Sequence, residues 1–149
     1  MTSFEQWKKH VKRSYELDAV KMNQLSGLLQ DALMATDHVQ QCAIIRREDG
    51  NIRASSVGFN VYPDQVKIFV DAFKNPRQTR EEGIYYDDKN YKCVRADSNS
   101  VYAKCEKSGL VLAKTATVLI FATYTENMFP SVCVEAVEKL ADYFKDKGA

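Results

Sequence analysis

Few residues in this chain have the type and spacing that covalent chemistry needs. There are two histidines, His10 and His38, and four cysteines, Cys42, Cys93, Cys105 and Cys133. No two cysteines form a Cys-x-x-Cys pair, so the commonest zinc and redox motifs are absent. The thiols read as buried or half-buried small hydrophobes. Carboxylates that acid–base work could recruit occur as Asp87-Asp88, Asp97 and Glu81-Glu82. The aspartates lie among Asn, Ser and Lys, in clusters where short polar side chains bond their own backbone and make turns. No Gly-x-Ser-x-Gly, His-Glu-x-x-His, phosphate-loop or dinucleotide pattern occurs. The expectation is a non-enzymatic chain with no cofactor and no metal site.

Binding is what remains, and composition narrows it. Lys and Arg number 21 against 20 Asp and Glu, a net charge of +1. No global basic field therefore calls for nucleic acid. The 149 residues suit one domain, and 45% hydrophobic content can fill a core without staples. The longest apolar stretch, Ala116 to Tyr124, is too short for a bilayer and is interrupted by threonine. The first residues, Met-Thr-Ser-Phe-Glu-Gln-Trp-Lys-Lys, lack the apolar run of a signal peptide. A soluble intracellular domain with free thiols is expected.

The elements that would position a binding face can be read from periodicity. Residues 4–34 have helical spacing, clearest at Leu25, Leu28, Leu29, Ala32 and Leu33, with a possible break around Glu16 to Asn23. Gln41 to Arg47 and Ile52 to Ser56 flank Asp49-Gly50, a pair suited to the left-handed positions of a hairpin turn. Pro63 suits the first turn of a helix whose apolar face is Val66, Phe69, Val70 and Phe73, and Asn75-Pro76 ends it. From Gly83 onward, short strands alternate with turn clusters at Asp87 to Asn90, Asp97 to Ser100 and Lys107 to Gly109. Short turns pair consecutive strands antiparallel, as a meander. A last helix starts at Pro130, with Cys133, Ala136, Val137, Leu140, Ala141 and Phe144 as its apolar stripe. Glu135 and Glu138 come early in it and Lys145 and Lys147 late, which suits the helix dipole, and Gly148 suits its end. Terminal helices over an antiparallel sheet give an α+β class.

Several blocks carry a resemblance. They are Gly58-Phe59-Asn60-Val61, Glu82-Gly83-Ile84-Tyr85-Tyr86, Lys89 to Asp97, Ser108 to Leu112, Ala122 to Glu126, and Pro130 to Gly148. In order and spacing, residues 22–149 resemble the profilin family, most closely a divergent vertebrate branch of it. Residues 1–21 lie outside as an N-terminal extension, helical or disordered. The resemblance implies a central antiparallel sheet, with N- and C-terminal helices on one face and small helices on the other. It implies a monomeric cytoplasmic, cytoskeleton-associated binding module that is not an enzyme. The family's ligands are monomeric actin, proline-rich peptides and phosphoinositides.

Residue by residue, the resemblance implies degenerate sites. The polyproline groove would use Leu25, Leu28, Arg53, Tyr143 and Ala149, of which only Tyr143 keeps an aromatic plane. One lost aromatic anchor costs ~2 kcal/mol or more at a hot spot, so proline-rich partners are not expected. Phe4 and Trp7 imitate the family's aromatic spacing but precede the domain. The actin face would use Arg95, Met128, Phe129, Val134 and Glu135; Glu135 stands where a lysine is common, and such a reversal weakens an interface. Acidic phospholipid needs only clustered cations. The candidates are Arg46, Arg47, Arg53, Lys145 and Lys147, with Lys8, Lys9, Lys12 and Arg13 as a second group opposite Phe4, Trp7, Val11 and Tyr15. The expectation is weak actin binding with retained acidic-phospholipid binding. A competent actin-monomer binder and a protein-interaction adaptor are the alternatives.

Overall fold

The computed structural model describes residues 24–149. The expectations for the N-terminal run, Lys8, Lys9, Lys12 and Arg13 among them, fall outside the described residues.

Helix α1 covers residues 24–32, and a 3-10 turn follows at Met34–Thr36. Strands β1 (Gln41–Arg46) and β2 (Ile52–Ser55) form the first hairpin. Helices α2 (Pro63–Asp71) and α3 (Pro76–Glu82) come next. Strands β3 (Ile84–Tyr86), β4 (Lys89–Ala96), β5 (Ser100–Cys105), β6 (Ser108–Lys114) and β7 (Val118–Tyr124) form the expected meander. Helix α4 (Pro130–Asp146) closes the fold.

The sheet has seven strands in the order β2-β1-β7-β6-β5-β4-β3. All neighbours are antiparallel, and β1 reaches across the sequence to lie beside β7, from Gln41↔Thr123 to Arg46↔Val118. The strict period of two along each strand then sorts side chains into two cores. Cys42, Ile44, Val111, Ile120 and Ala122 face the first core, under Leu29 and Leu33 of the α1 region and the stripe of α4. Ala43, Ile45, Leu110, Leu112 and Phe121 face the second, under Val66, Phe69, Ala72 and Phe73. The terminal helices thus share one face and α2 and α3 the other, as expected. All six stripe residues of α4, Cys133 through Phe144, are buried.

Three local readings need correction. In the first hairpin turn only Gly50 takes a positive φ, of 74°; Asp49 instead bonds the turn through its side chain, accepting from the Asn51 N–H at 3.0 Å. Asn75-Pro76 does more than stop α2. Asn75 Oδ1 accepts the Gln78 N–H at 3.2 Å and Pro76 opens α3, because an Asn cap satisfies a first-turn donor that the preceding helix could not. The third turn cluster is displaced toward Glu106-Lys107, with Glu106 at φ 56°, and Ser108 and Gly109 already belong to β6. Gly109 is there for close packing: a Cβ on it would run into the Tyr124 ring of β7. The other expected turns hold. Asp87 and Asp88 both take positive φ, and Asp97 Oδ1 accepts the N–H groups of Asn99 and Ser100, each at 2.8 Å.

Candidate functional site

Helix α4 covers only part of its sheet face. Beyond it, β4 and β5 present Lys92 and Lys104 directly opposite each other, both exposed. A bulge between Cys93 and Arg95 turns Val94 out to solvent, and it leaves Arg95 opposite Tyr102. The Arg95 guanidinium lies 5.6 Å from the Tyr102 ring centroid and pairs with Asp97 at 3.0 Å. Backbone N–H bonds from Asn99 and Ser100 hold the Asp97 carboxyl below its ordinary range.

The edge of α4 closes this patch through Glu138. Its Oε1 accepts from the Tyr102 hydroxyl at 2.6 Å and from the Ser100 hydroxyl at 2.7 Å. Burial, and next the bond to Glu138, push the Tyr102 phenol up to about 12. One turn earlier, Glu135 pairs with Lys139 at 2.8 Å, and this bond lowers the Glu135 carboxyl. At the helix start, the Phe129 N–H donates to His38 Nδ1 at 2.9 Å, and the two rings stack with centroids 5.0 Å apart. That bond requires the His38 proton to sit on Nε2. Phe129 is nonetheless exposed, whereas Met128 and Val134 rest half-buried against the first core. The expected actin-face residues therefore fall into two groups: Phe129, Met128, Val134 and Glu135 along the start of α4, and Arg95 on the strands, linked to α4 only through Tyr102 and Glu138.

Of the expected polyproline positions, Leu25, Leu28 and Ala149 pack half-buried on the first core. Tyr143 stands outside that core, half exposed, its ring edge-on to Phe144 and carrying Lys147 Nζ 5.6 Å from its centroid. Arg53 is half-buried on β2. Aliphatic side chains sunk into a core offer no flat aromatic plane for a proline ring.

Cations gather at the other end of the sheet. Arg46, Arg47 and Lys74 line a recess of about 550 Å³ with Glu48, Val70 and the β6–β7 turn. Arg47 donates to the Thr115 and Ala116 carbonyls at 2.8 and 2.9 Å. The same turn holds the end of the helix region, since the Thr117 N–H donates to the Ala149 carbonyl at 2.9 Å. Lys145 and Lys147 are thereby carried toward the end where Arg46 and Arg47 lie. Lys114 is affected by the crowding: burial and then the Arg47 charge lower it from its ordinary value. Arg46 pairs with Asp49 at 2.5 Å and Lys74 with Asp71 at 2.9 Å. Among the described residues no carboxylate pairs with Arg47, Lys145 or Lys147.

The described residues hold no group of three or more metal-ligating side chains and no helix long and apolar enough to cross a membrane. All four cysteines are free, and burial pushes Cys42 up to about 11 and Cys133 up to about 12. Such thiols are poor nucleophiles.

A two-core seven-stranded antiparallel sheet with these helices can be compared with known proteins, and the profilin family model matches residues 23–149. This chain belongs to the profilin family. Members are non-enzymatic actin-binding proteins of the cytoskeleton, which agrees with a site built for contact and not for bond-making. Profilin-4 of Bos taurus is 49% identical over 128 residues, covering 85% of this chain and 99% of the relative. Profilin-4 of Mus musculus is 48% identical over the same shares. The crystal structure of Acanthamoeba castellanii profilin II has a TM-score of 0.75 at 36% identity, covering 81% of this chain and 96% of that one.

Sequence reasoning missed two features of this profilin's surface. Its sequence position presents Glu138 as a dipole-favouring acid and not as the acceptor that ties α4 to β5. The available signal was Ser100 and Tyr102, two hydroxyls at i, i+2 and so on one face of a strand. His38 was only one of two histidines; nothing in the sequence brings it to Phe129, 91 residues away.

Proposed function

We propose that this profilin is a cytoskeletal regulator with weakened actin contacts, little or no polyproline binding, and retained binding of acidic phospholipid, phosphoinositides included. The observation that carries the reading is how its charges are engaged. Along α4 and the strand face beside it, three of them are satisfied internally: Glu135 by Lys139, Glu138 by Ser100 and Tyr102, and Arg95 by Asp97. At the opposite end Arg47, Lys145 and Lys147 have no carboxylate partner among the described residues, and the Arg47 charge adds to burial in lowering Lys114. An anionic headgroup relieves that repulsion, and each cation near an anionic leaflet contributes about 1 kcal/mol.

Two measurements test this. Co-sedimentation with phosphoinositide vesicles should show binding that weakens with salt, and Arg47→Ala with Lys147→Ala should weaken it further, by roughly fivefold per charge. Binding indifferent to salt rules out the electrostatic account. Titration of purified monomeric actin should give a dissociation constant weaker than micromolar. A micromolar constant would instead favour the second reading, a competent actin-monomer binder. The feature favouring that reading is the uncovered sheet face, where the exposed Lys92 and Lys104, in no ion pair among the described residues, remain available to an acidic surface.

A further inference from the structure

On the other layer of the molecule, between the start of α2 and the β3–β4 turn, lies a recess of about 240 Å³. Its walls include Tyr62, Gln65, Tyr85, Asp87 and Asp88. Tyr62 is 80% exposed and Tyr85 is 50% exposed. Rings this large left in water around one hollow are the kind of surface that marks interaction sites, where tyrosine is enriched. Core packing does not force them outward. The neighbouring Tyr86 turns inward onto Phe69 and Phe121, and completes the second core without them.

The charged groups at the recess are of one sign. Asp88 accepts from the Tyr85 hydroxyl at 3.3 Å, and its charge raises that phenol above its ordinary value. The Asp87 carboxylate makes no side-chain hydrogen bond and no ion pair among the described residues. No lysine or arginine lines the hollow. Gln65 fixes the two walls to each other, its side-chain N–H donating to the Tyr85 carbonyl at 2.8 Å. A recess held in this way needs little ordering when it is filled.

We propose that this recess binds an arginine side chain carried by an extended segment of a partner protein. The guanidinium is the cation that fits the walls: flat enough to lie on a tyrosine face, and forked so that its N–H groups reach a carboxylate edge-on. A lysine ammonium satisfies the charge but not the stacking. A proline-rich segment would use the rings and leave Asp87 and Asp88 unanswered. Anionic ligands are repelled. The surface lies apart from the α4 and strand face discussed above, so occupancy here is compatible with either functional reading.

The test is a titration of the full isotope-labelled chain with the peptide Gly-Gly-Arg-Gly-Arg-Gly-Gly, followed by amide shifts. The controls are its citrulline analogue, its lysine analogue and a proline-only peptide. Shifts should centre on Tyr62, Gln65, Tyr85 and Asp87, with the arginine peptide binding most tightly. The double variant Asp87→Asn, Asp88→Asn should weaken binding about tenfold, as expected for loss of a charge-assisted pair. Asn tolerates the left-handed backbone of this turn, so the variant keeps the hairpin. Tyr62→Ala, at a solvent-exposed position, should weaken it several-fold without altering the rest of the spectrum. Equal shifts with citrulline, a preference for the proline peptide, shifts centred elsewhere, or a double variant within twofold of the native chain would each overturn the proposal.

Discussion

Replacing Glu138 offers the sharpest test of how α4 is joined to the strand face. One oxygen, Oε1, accepts both hydroxyls, from Tyr102 at 2.6 Å and Ser100 at 2.7 Å. Hydrogen bonds to a charged partner contribute about 1.5–3 kcal/mol each, and the partly solvated setting places these near the lower end. Glu138→Ala removes both and leaves the Ser100 hydroxyl, on a residue only 4% exposed, without an acceptor. Alanine's better helix propensity returns roughly 0.4 kcal/mol, so the net loss should be about 2–3 kcal/mol. Glu138→Gln is the discriminating control. Its amide oxygen has two lone pairs and can accept both hydroxyls, so only the charge is lost and the penalty should be about 1 kcal/mol. A double-mutant cycle with Tyr102→Phe should give a coupling energy of about 1–2 kcal/mol for the pair. The assay is urea unfolding followed by far-ultraviolet circular dichroism, with unchanged slopes as the check that only stability moved. In parallel, the Tyr102 phenol, pushed up to about 12, should titrate lower in either variant. A Glu138→Ala protein within 0.5 kcal/mol of native, a coupling below that size, or Gln as damaging as Ala would refute the reasoning.

Three further outcomes are expected. A thiol reagent at pH 8 should modify the half-buried Cys93 and Cys105 in the native protein, and Cys42 and Cys133 only after denaturant is added, because these two are fully buried and burial raises them to about 11 and about 12. Gly109→Ala should lower stability by about 1–3 kcal/mol in urea unfolding, since the new methyl meets the buried Tyr124 ring; Tyr124→Ala in the same background should recover part of its own penalty. Alkaline pH should destabilise the fold. Tyr86 and Tyr102 are both raised to about 12, chiefly by burial, so their contribution is complete below the ordinary phenol value near 10 and is lost as pH rises through 12. The urea midpoint should therefore fall between pH 9.5 and 11.5, and a midpoint that stays level would contradict the half-buried placement of those two side chains.

Local patterns were legible in proportion to how strongly one periodicity governs them. The α4 stripe is legible because a helix lying on a sheet must bury i, i+3, i+4 positions, and all six of those side chains are buried. The β3–β7 meander was legible because Asp87-Asp88 and Asp97 favour tight turns, and short turns leave antiparallel pairing as the only connection. The hidden start of α3 and the displaced turn at Glu106-Lys107 were missed for a shared reason. Asn-Pro and Ser-Gly are punctuation that several local structures can use, and the choice is made by what packs nearby, Tyr124 over Gly109 in the second case.

The sequence by itself determined the class of the fold, the absence of catalytic motifs and the identity of the residues at each candidate face, because those follow from residue type and short-range spacing. Only the tertiary structure decided how the faces are used. It placed β1 beside β7, tied Phe129 to His38, Arg95 to the edge of α4 through Tyr102 and Glu138, and carried the lysines at the end of α4 toward Arg47. These joins span tens of residues along the chain. They arise from burial of two sheet faces at once, a global condition that no local window of sequence expresses.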